Sequence, residues 1–169
     1  MYKILTTGCH AELVSASHNK RQAMIEIKKG IFFSSETNDM DLDVIYTFIK
    51  NSYWGESRTL EEQKKALENT INFGLFHNGN QIAYARVMTD KVFFAYLLDV
   101  FVIEAYQGKE YSKLLIDKIL NFPELKNIDK WMLATKDAHK LYEKFGFNIV
   151  KSPEKLMEKL SQRAKLIYE

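Results

Sequence analysis

Cysteine occurs once in these 169 residues, at Cys9, so neither an internal disulfide nor a thiolate zinc site can be built, and a reducing compartment, the cytoplasm, is the expected location. The four histidines, His10, His18, His77 and His139, are scattered, and no His-Glu-x-x-His spacing joins them; no metal is expected. With only 2 prolines and 7 glycines the chain is neither collagenous nor of low complexity. Long apolar runs are missing too. The longest, Val92 to Ile103, contains Asp99 and falls short of the roughly 20 residues that a bilayer helix requires, so no membrane partner is expected. Lys3, Thr7, Cys9, His10 and Glu12 interrupt what a signal peptide would need as a continuous apolar stretch. An excess of one charge sign is absent: Lys plus Arg number 24 against 22 Asp plus Glu, a net charge of +2 with no basic cluster, which argues against nucleic acid.

What is present is material for one core. Hydrophobic residues make up 46% and aromatics 13% of the chain, enough apolar area to offset the entropy of ordering, and at about 150 residues per domain the length implies a single domain. Residues 1–23 are polar and without periodicity and read as an appended segment; the domain is expected over 24–169, with Met24 as the natural start. From there Ile25, Ile27, Ile31 and Phe33 alternate as in a strand, interrupted at Lys28 to Gly30. Asp41 precedes Leu42, Ile45, Tyr46, Phe48 and Ile49, spaced as one helical face ending near Asn51. Thr59 with Glu62 forms a capping box for a second helix reaching about Thr70. Phe73 to His77, a turn at Asn78-Gly79-Asn80, and Gln81 to Thr89 make a hairpin.

The run from Val92 to Ile103 is long and continuous enough to be read as the buried centre of a sheet. A helix from about Lys109 to Asn121, stopped by Pro123, and a short strand Trp131 to Thr135 complete a β-α-β unit whose strands lie parallel. A third helix, Ala138 to Lys144, closes at Gly146, and a last strand is expected near Phe147 to Val150. Spacing leaves Leu156 to Ile167 open between strand and helix.

Two segments carry chemistry. The connection Glu104-Ala-Tyr-Gln-Gly-Lys-Glu-Tyr-Ser112 leaves a strand and opens a helix, where free backbone N–H groups and the helix dipole favour an anion. In Ala138-His-Lys-Leu-Tyr-Glu-Lys-Phe-Gly-Phe147, Ala138 and Tyr142 share one face and Leu141 and Phe145 another; with the latter in the core, Tyr142 turns toward the anion loop. Asp99, in an apolar strand, must be paired, with Arg86 the candidate partner, or stand at a site as a base. His77 and Glu104 are further candidate bases, and Tyr53, Trp54, Tyr84 and Tyr96 could line an acceptor pocket or pack the core.

Both segments, in this order after two helices and a hairpin, resemble the GNAT acetyltransferase superfamily over roughly Met24 to Leu160. Ser52-Tyr-Trp-Gly55, Gln81-Ile-Ala-Tyr-Ala-Arg-Val-Met-Thr-Asp90, Phe94-Ala-Tyr-Leu-Leu-Asp-Val-Phe-Val102 and Leu133-Ala-Thr-Lys-Asp-Ala-His139 are similar to a small subgroup of its N-acetyltransferases. The resemblance implies an α/β fold with a mixed central sheet, N-terminal helices, an acetyl-CoA-binding β-α-β unit and C-terminal helix or strands. It implies an acyltransferase that moves acetyl from acetyl-CoA to a primary amine, a small molecule acceptor, by direct attack; a homodimer stays open. Val100, Phe101, Val102, Gln107, Gly108, Lys109, Glu110, Tyr111, Ser112, Lys113 and Ala138 would hold the cofactor. Tyr142 would protonate the departing thiolate, Asp99 is the catalytic candidate beside it, and Trp54, Tyr84 and Tyr96 would face the acceptor. The superfamily's loop runs Gln or Arg, two residues, Gly, one residue, Gly or Ala. Gln107 matches, whereas Glu110 and Ser112 replace the small residues. Glu110 either points to solvent, compensated by Lys109 and Lys113, or makes the protein a catalytically silent acyl-CoA-binding or interaction module. A purely structural partner protein is the remaining reading. Intact-mass measurement of the native protein is expected to show a chain starting at Met24; a species starting at Met1 would refute that start.

Overall fold

The computed structural model describes residues 24–168; the expected appendage lies outside them. Strands β1 (Ile25–Lys28) and β2 (Ile31–Ser34) form a hairpin, so the interruption at Lys28 to Gly30 is its turn. Helix α1 (Leu42–Lys50) begins where the Asp41 carboxylate accepts the Val44 N–H at 3.0 Å. Helix α2 (Leu60–Glu68) carries the complete capping box: the Thr59 hydroxyl accepts from the Glu62 N–H at 3.2 Å, and the Glu62 carboxylate accepts from the Thr59 N–H at 2.9 Å. That N–H and, next, Arg163 at 2.7 Å draw the Glu62 carboxyl down to about 2.

Strands β3 (Ile71–His77) and β4 (Asn80–Thr89) are joined at Asn78 and Gly79, with φ of 50° and 78°, the left-handed pair that a two-residue hairpin turn demands. Asn80 already pairs with His77, so the turn is one residue shorter than the sequence suggested. Strand β5 (Phe94–Val102), helix α3 (Tyr111–Leu120) and strand β6 (Lys130–Met132) form the β-α-β unit, with β6 parallel to β5. Helix α4 (His139–Tyr142) runs into a 3-10 turn over Glu143–Phe145, and α5 (Gln162–Tyr168) ends the described chain. The sheet order follows the chain, β1 to β6, and every other pairing is antiparallel. Among the described residues no helix is long and apolar enough to cross a membrane.

Three expectations change. The run Val92 to Ile103 is not uniformly buried: Val92 and Phe93 lie outside β5 at 53% and 67% exposure, and β5 alternates buried with half-buried residues as fifth of the six strands. The expected strand Phe147 to Val150 has no regular structure, since β6 has shortened to three residues and offers little ladder to extend. The C-terminal apolar residues resolve as a helix only from Gln162.

The sheet separates two cores. On one face Leu115, Ile116 and Ile119 of α3 pack on Ala83, Ala85, Val87, Ala95 and Leu97. On the other, Ile45, Ile49 and Leu67 of α1 and α2 cover Phe76, Tyr84 and Phe101, and Phe48 stacks on Phe101 with ring centres 3.9 Å apart. Between the pairs Tyr84↔Phe101 and Arg86↔Leu98, β5 has one residue more than β4. The bulge contains Asp99 at φ 52°, a left-handed conformation that Asp tolerates better than most residues. Its side chain is 1% exposed and one carboxylate oxygen receives Arg86 Nε at 2.6 Å and Arg58 at 2.8 Å. Burial opposes its charge, but the Arg58 hydrogen bond and the two guanidinium charges outweigh burial and hold the Asp99 carboxyl below the usual range.

A carboxyl depressed in the folded state contributes stability that is full above its unfolded pKa, near ~3.9, and is lost as pH falls through the lower folded value. Asp99→Asn, which keeps the left-handed preference but not the charge, is therefore expected to cost on the order of 3 kcal/mol at pH 7. In urea unfolding the gap to the wild type should close toward the acid limit; a gap that stays constant with pH would refute the ion pairing.

Candidate active site

The sheet opens at its parallel edge. Strand β6 pairs with β5 at Phe94↔Lys130, Ala95↔Trp131 and Tyr96↔Met132 and there the pairing ends, while β5 continues to Val102. Because the Ile103 N–H bonds the Ile82 carbonyl of β4 at 2.9 Å, strand alternation turns the amide and carbonyl of Val102 away from β4, into the gap. The Gln107 side chain closes part of that gap by donating to the Val102 carbonyl at 3.0 Å.

A 3-10 turn over Glu104–Tyr106 follows β5, and the chain then passes Gly108 at φ 73° and Glu110 at φ 69° before α3. Left-handed residues alternating with their neighbours gather successive N–H groups into a concavity suited to an anion. The first helical bond runs from the Leu114 N–H to the Glu110 carbonyl, leaving the amides of Tyr111, Ser112 and Lys113 without an intrahelical acceptor. Glu110 occupies the left-handed position that glycine fills without strain. Its carboxylate, 66% exposed, pairs with Lys113, and that hydrogen bond holds it below the usual carboxylate range, with Lys144 and Lys28 adding to the effect. Lys28, Lys109, Lys113 and Lys144 surround Glu110 in a shallow depression beside the loop.

Opposite the loop, α4 is anchored where the Ala138 N–H bonds the Thr135 hydroxyl at 3.0 Å, and one turn later Tyr142 lies 8% exposed with its ring edge-on to Phe147. Burial, then the nearby Tyr53 phenol and Asp137 carboxylate, push the Tyr142 phenol up to about 12. Nothing among the described residues hydrogen-bonds its hydroxyl. A cleft of about 410 Å³ brings these parts together: Val100, Phe101 and Val102 of β5, Gln107, Gly108, Glu110, Tyr111 and Ser112 of the loop, and Ala138, Leu141 and Tyr142. That size suits a ligand chain. Phe48 and Phe101 come from one core and Val100, Val102 and Leu141 from the other, so the cleft spans the opening in the sheet.

Other expected residues fall elsewhere. Asp99 belongs to the buried ion triad and not to the cleft wall, so of its two readings the paired one is realised, with Arg58 added to Arg86. Tyr84 requires correction as an acceptor residue: it is fully buried, its hydroxyl donates to Asn72 at 2.6 Å, and burial raises its phenol pKa. Tyr96 sits at the level where β5 and β6 are still paired, short of the cleft. Lys109 and Lys113 line the basic depression rather than the cleft. His77 contacts the Tyr106 hydroxyl at 3.3 Å through Nδ1, and Glu104 starts the 3-10 turn; neither lines the cleft. Trp54 packs against the Phe101 core, and its buried indole N–H has no partner among the described residues. Tyr53 is 51% exposed with Lys136 over its ring. Sequence reasoning missed Arg58, Phe48 and Asp137; only Asp137 had a signal, its place directly before Ala138.

The acetyltransferase (GNAT) family model matches residues 40–147. A crystal structure from Xanthomonas campestris pv. campestris, assigned to the GNAT acetyltransferases, is 34% identical with a TM-score of 0.77, over 82% of this chain and 97% of that one. A Staphylococcus aureus protein of unknown function described as a probable acetyltransferase shares the fold at 21% identity and a TM-score of 0.62, over 78% of this chain and 98% of its own. Glucosamine-6-phosphate N-acetyltransferase from Arabidopsis thaliana shares it at 18% identity and 0.56, over 77% and 97%. A comparison with proteins of curated function finds no match. The opened β5–β6 edge, the loop into α3 and the matching sequence make one conclusion: the chain belongs to the GNAT family and is an acyltransferase of the acetyl-transferring kind.

Proposed function

We propose that the protein transfers acetyl from acetyl-CoA to the primary amine of a small molecule. The observation that carries this reading is a single cleft lined both by the residues that open α3 and by Tyr142, on either side of the unpaired end of β5. The residues suit the cofactor: the Gly108–Ser112 amides and the α3 dipole favour a diphosphate, and Lys28, Lys109, Lys113 and Lys144 supply nearby positive charge. A Clostridium acetobutylicum acetyltransferase with acetyl-CoA, 15% identical with a TM-score of 0.58, shares the fold over 78% of this chain and 96% of its own.

In the proposed chemistry a neutral amine attacks the thioester carbonyl, and an amide of β5 in the gap, that of Val100 or Val102, stabilises the oxyanion. The attacking nitrogen gives its surplus proton to water, the carbon–sulfur bond breaks and the thiolate takes the Tyr142 proton, which the buried phenol retains until that moment and regains from solvent afterwards. Asp99 acts at a distance by holding the bulge that precedes Val100. A second reading, binding without turnover, draws on one observation, the side chain of Glu110 where the family's loop has glycine.

Tyr142→Phe is expected to lower the rate of thiol release about 10²-fold while leaving acetyl-CoA affinity nearly unchanged by calorimetry; an unaltered rate would strip the phenol of its role. Glu110→Gly should bind acetyl-CoA several-fold more tightly and melt at a higher temperature, because it removes both a like charge and a left-handed side chain. No binding by the wild-type protein at millimolar acetyl-CoA would overturn the whole reading.

A further inference from the structure

One charged group on the cleft wall has no part in the chemistry above. Asp137, in the connection from β6 to α4, is exposed and lines the cleft with Val100, Phe101 and Tyr142. Among the described residues no cation pairs with it and no donor bonds it; its one interaction is electrostatic, with the Tyr142 phenol. The adjacent cation, Lys136, has its ammonium 5.4 Å from the centre of the Tyr53 ring. Asp137 and Tyr142 both line the cleft and interact electrostatically, so they border the same part of the site. The loop into α3, where the cofactor is proposed to bind, lines the other part of the cleft, which leaves this part for the acceptor in the proposed reading.

An unpaired carboxylate beside the reacting phenol is matched to a cation. Glu110 also lines the cleft, but Lys113 satisfies it at the opposite end. Among amines, alkylamines arrive as cations at neutral pH, as lysine does with its pKa near ~10.4, while arylamines arrive uncharged. We infer that Asp137 is the acceptor-recognising residue, holding the ammonium of an alkylamine beside Tyr142, so that the enzyme selects alkylamines over arylamines. This deepens the acetyl-transfer reading and rests on it. The balance is complete without a further reactant. The bound ammonium gives one proton to water, its nitrogen forms the bond to the acetyl carbon and releases a second proton to water as the carbon–sulfur bond breaks, the thiolate takes the Tyr142 proton, and solvent restores the phenol.

Thiol release is measured with acetyl-CoA and either phenethylamine or a para-alkyl aniline, for the wild type, Asp137→Asn and Asp137→Glu. The inference expects Asn to raise the KM for phenethylamine about tenfold, the scale of a charge-assisted hydrogen bond, with kcat changed much less. The aniline kcat/KM and the calorimetric acetyl-CoA affinity should stay within about twofold, and Glu should restore most of the phenethylamine KM. Equal losses for both amines, no loss for phenethylamine, or a wild type that prefers the aniline would overturn it. A wild type that binds acetyl-CoA but acetylates neither amine overturns the enzymatic reading and this inference with it; acetylation of phenethylamine at equal efficiency by wild type and Asn overturns this inference alone.

Discussion

The site depends on one buried carboxylate. Asp99 binds Arg86 from the neighbouring strand and Arg58 from the connection between the first two helices, so three segments distant in sequence meet on a single oxygen. Removing such a charge from water is expensive, and two guanidiniums compensate it where one neutral partner would not. The arrangement also fixes a backbone that would otherwise be disfavoured, the left-handed residue in β5. With that bulge in place, the strand beyond it changes which side chains face which core, bringing Phe101 under α1 and Val100 and Val102 toward α3.

The opening of the sheet follows from an inequality of length. Strand β5 has nine residues and β6 has three, so the parallel pairing ends well before β5 does and polar backbone is left facing a gap. Unsatisfied amides in an apolar cleft are costly unless something bonds them, and the Gln107 side chain meets only one of the groups there. In the proposed reading the two substrates meet in this gap, to which the α1 side contributes Phe48 and the α4 side Tyr142 and Asp137.

The loop before α3 departs from its family's pattern at Glu110 and Ser112, and the structure shows how Glu110 is accommodated. Glu110 adopts the left-handed conformation that the turn requires, and its side chain leaves the concavity for the lysines around it. The neighbouring Gly108 keeps the other left-handed position free of a side chain.

Local signals alone determined much of the chain. The Asp41 cap, the Thr59–Glu62 capping box, the turn at Asn78 and Gly79 and the helix after the phosphate-type loop are interactions among residues close in sequence; the caps are found where the spacing put them, and the turn and the helix within two residues of it. The order of Gln107 to Ser112 and Ala138 to Phe147 was enough for the family resemblance. Partnership across the sheet was beyond reach: nothing in the neighbourhood of Arg58 marks it for Asp99, 41 residues away, and nothing in Tyr84 distinguishes a core tyrosine bonded to Asn72 from one facing a ligand. The last expected strand failed for the same reason, because a strand exists only where an edge is available to pair with it. Helix caps and turns are settled by neighbours along the chain, whereas burial, ion pairing and the width of a cleft are settled by segments that only folding brings together.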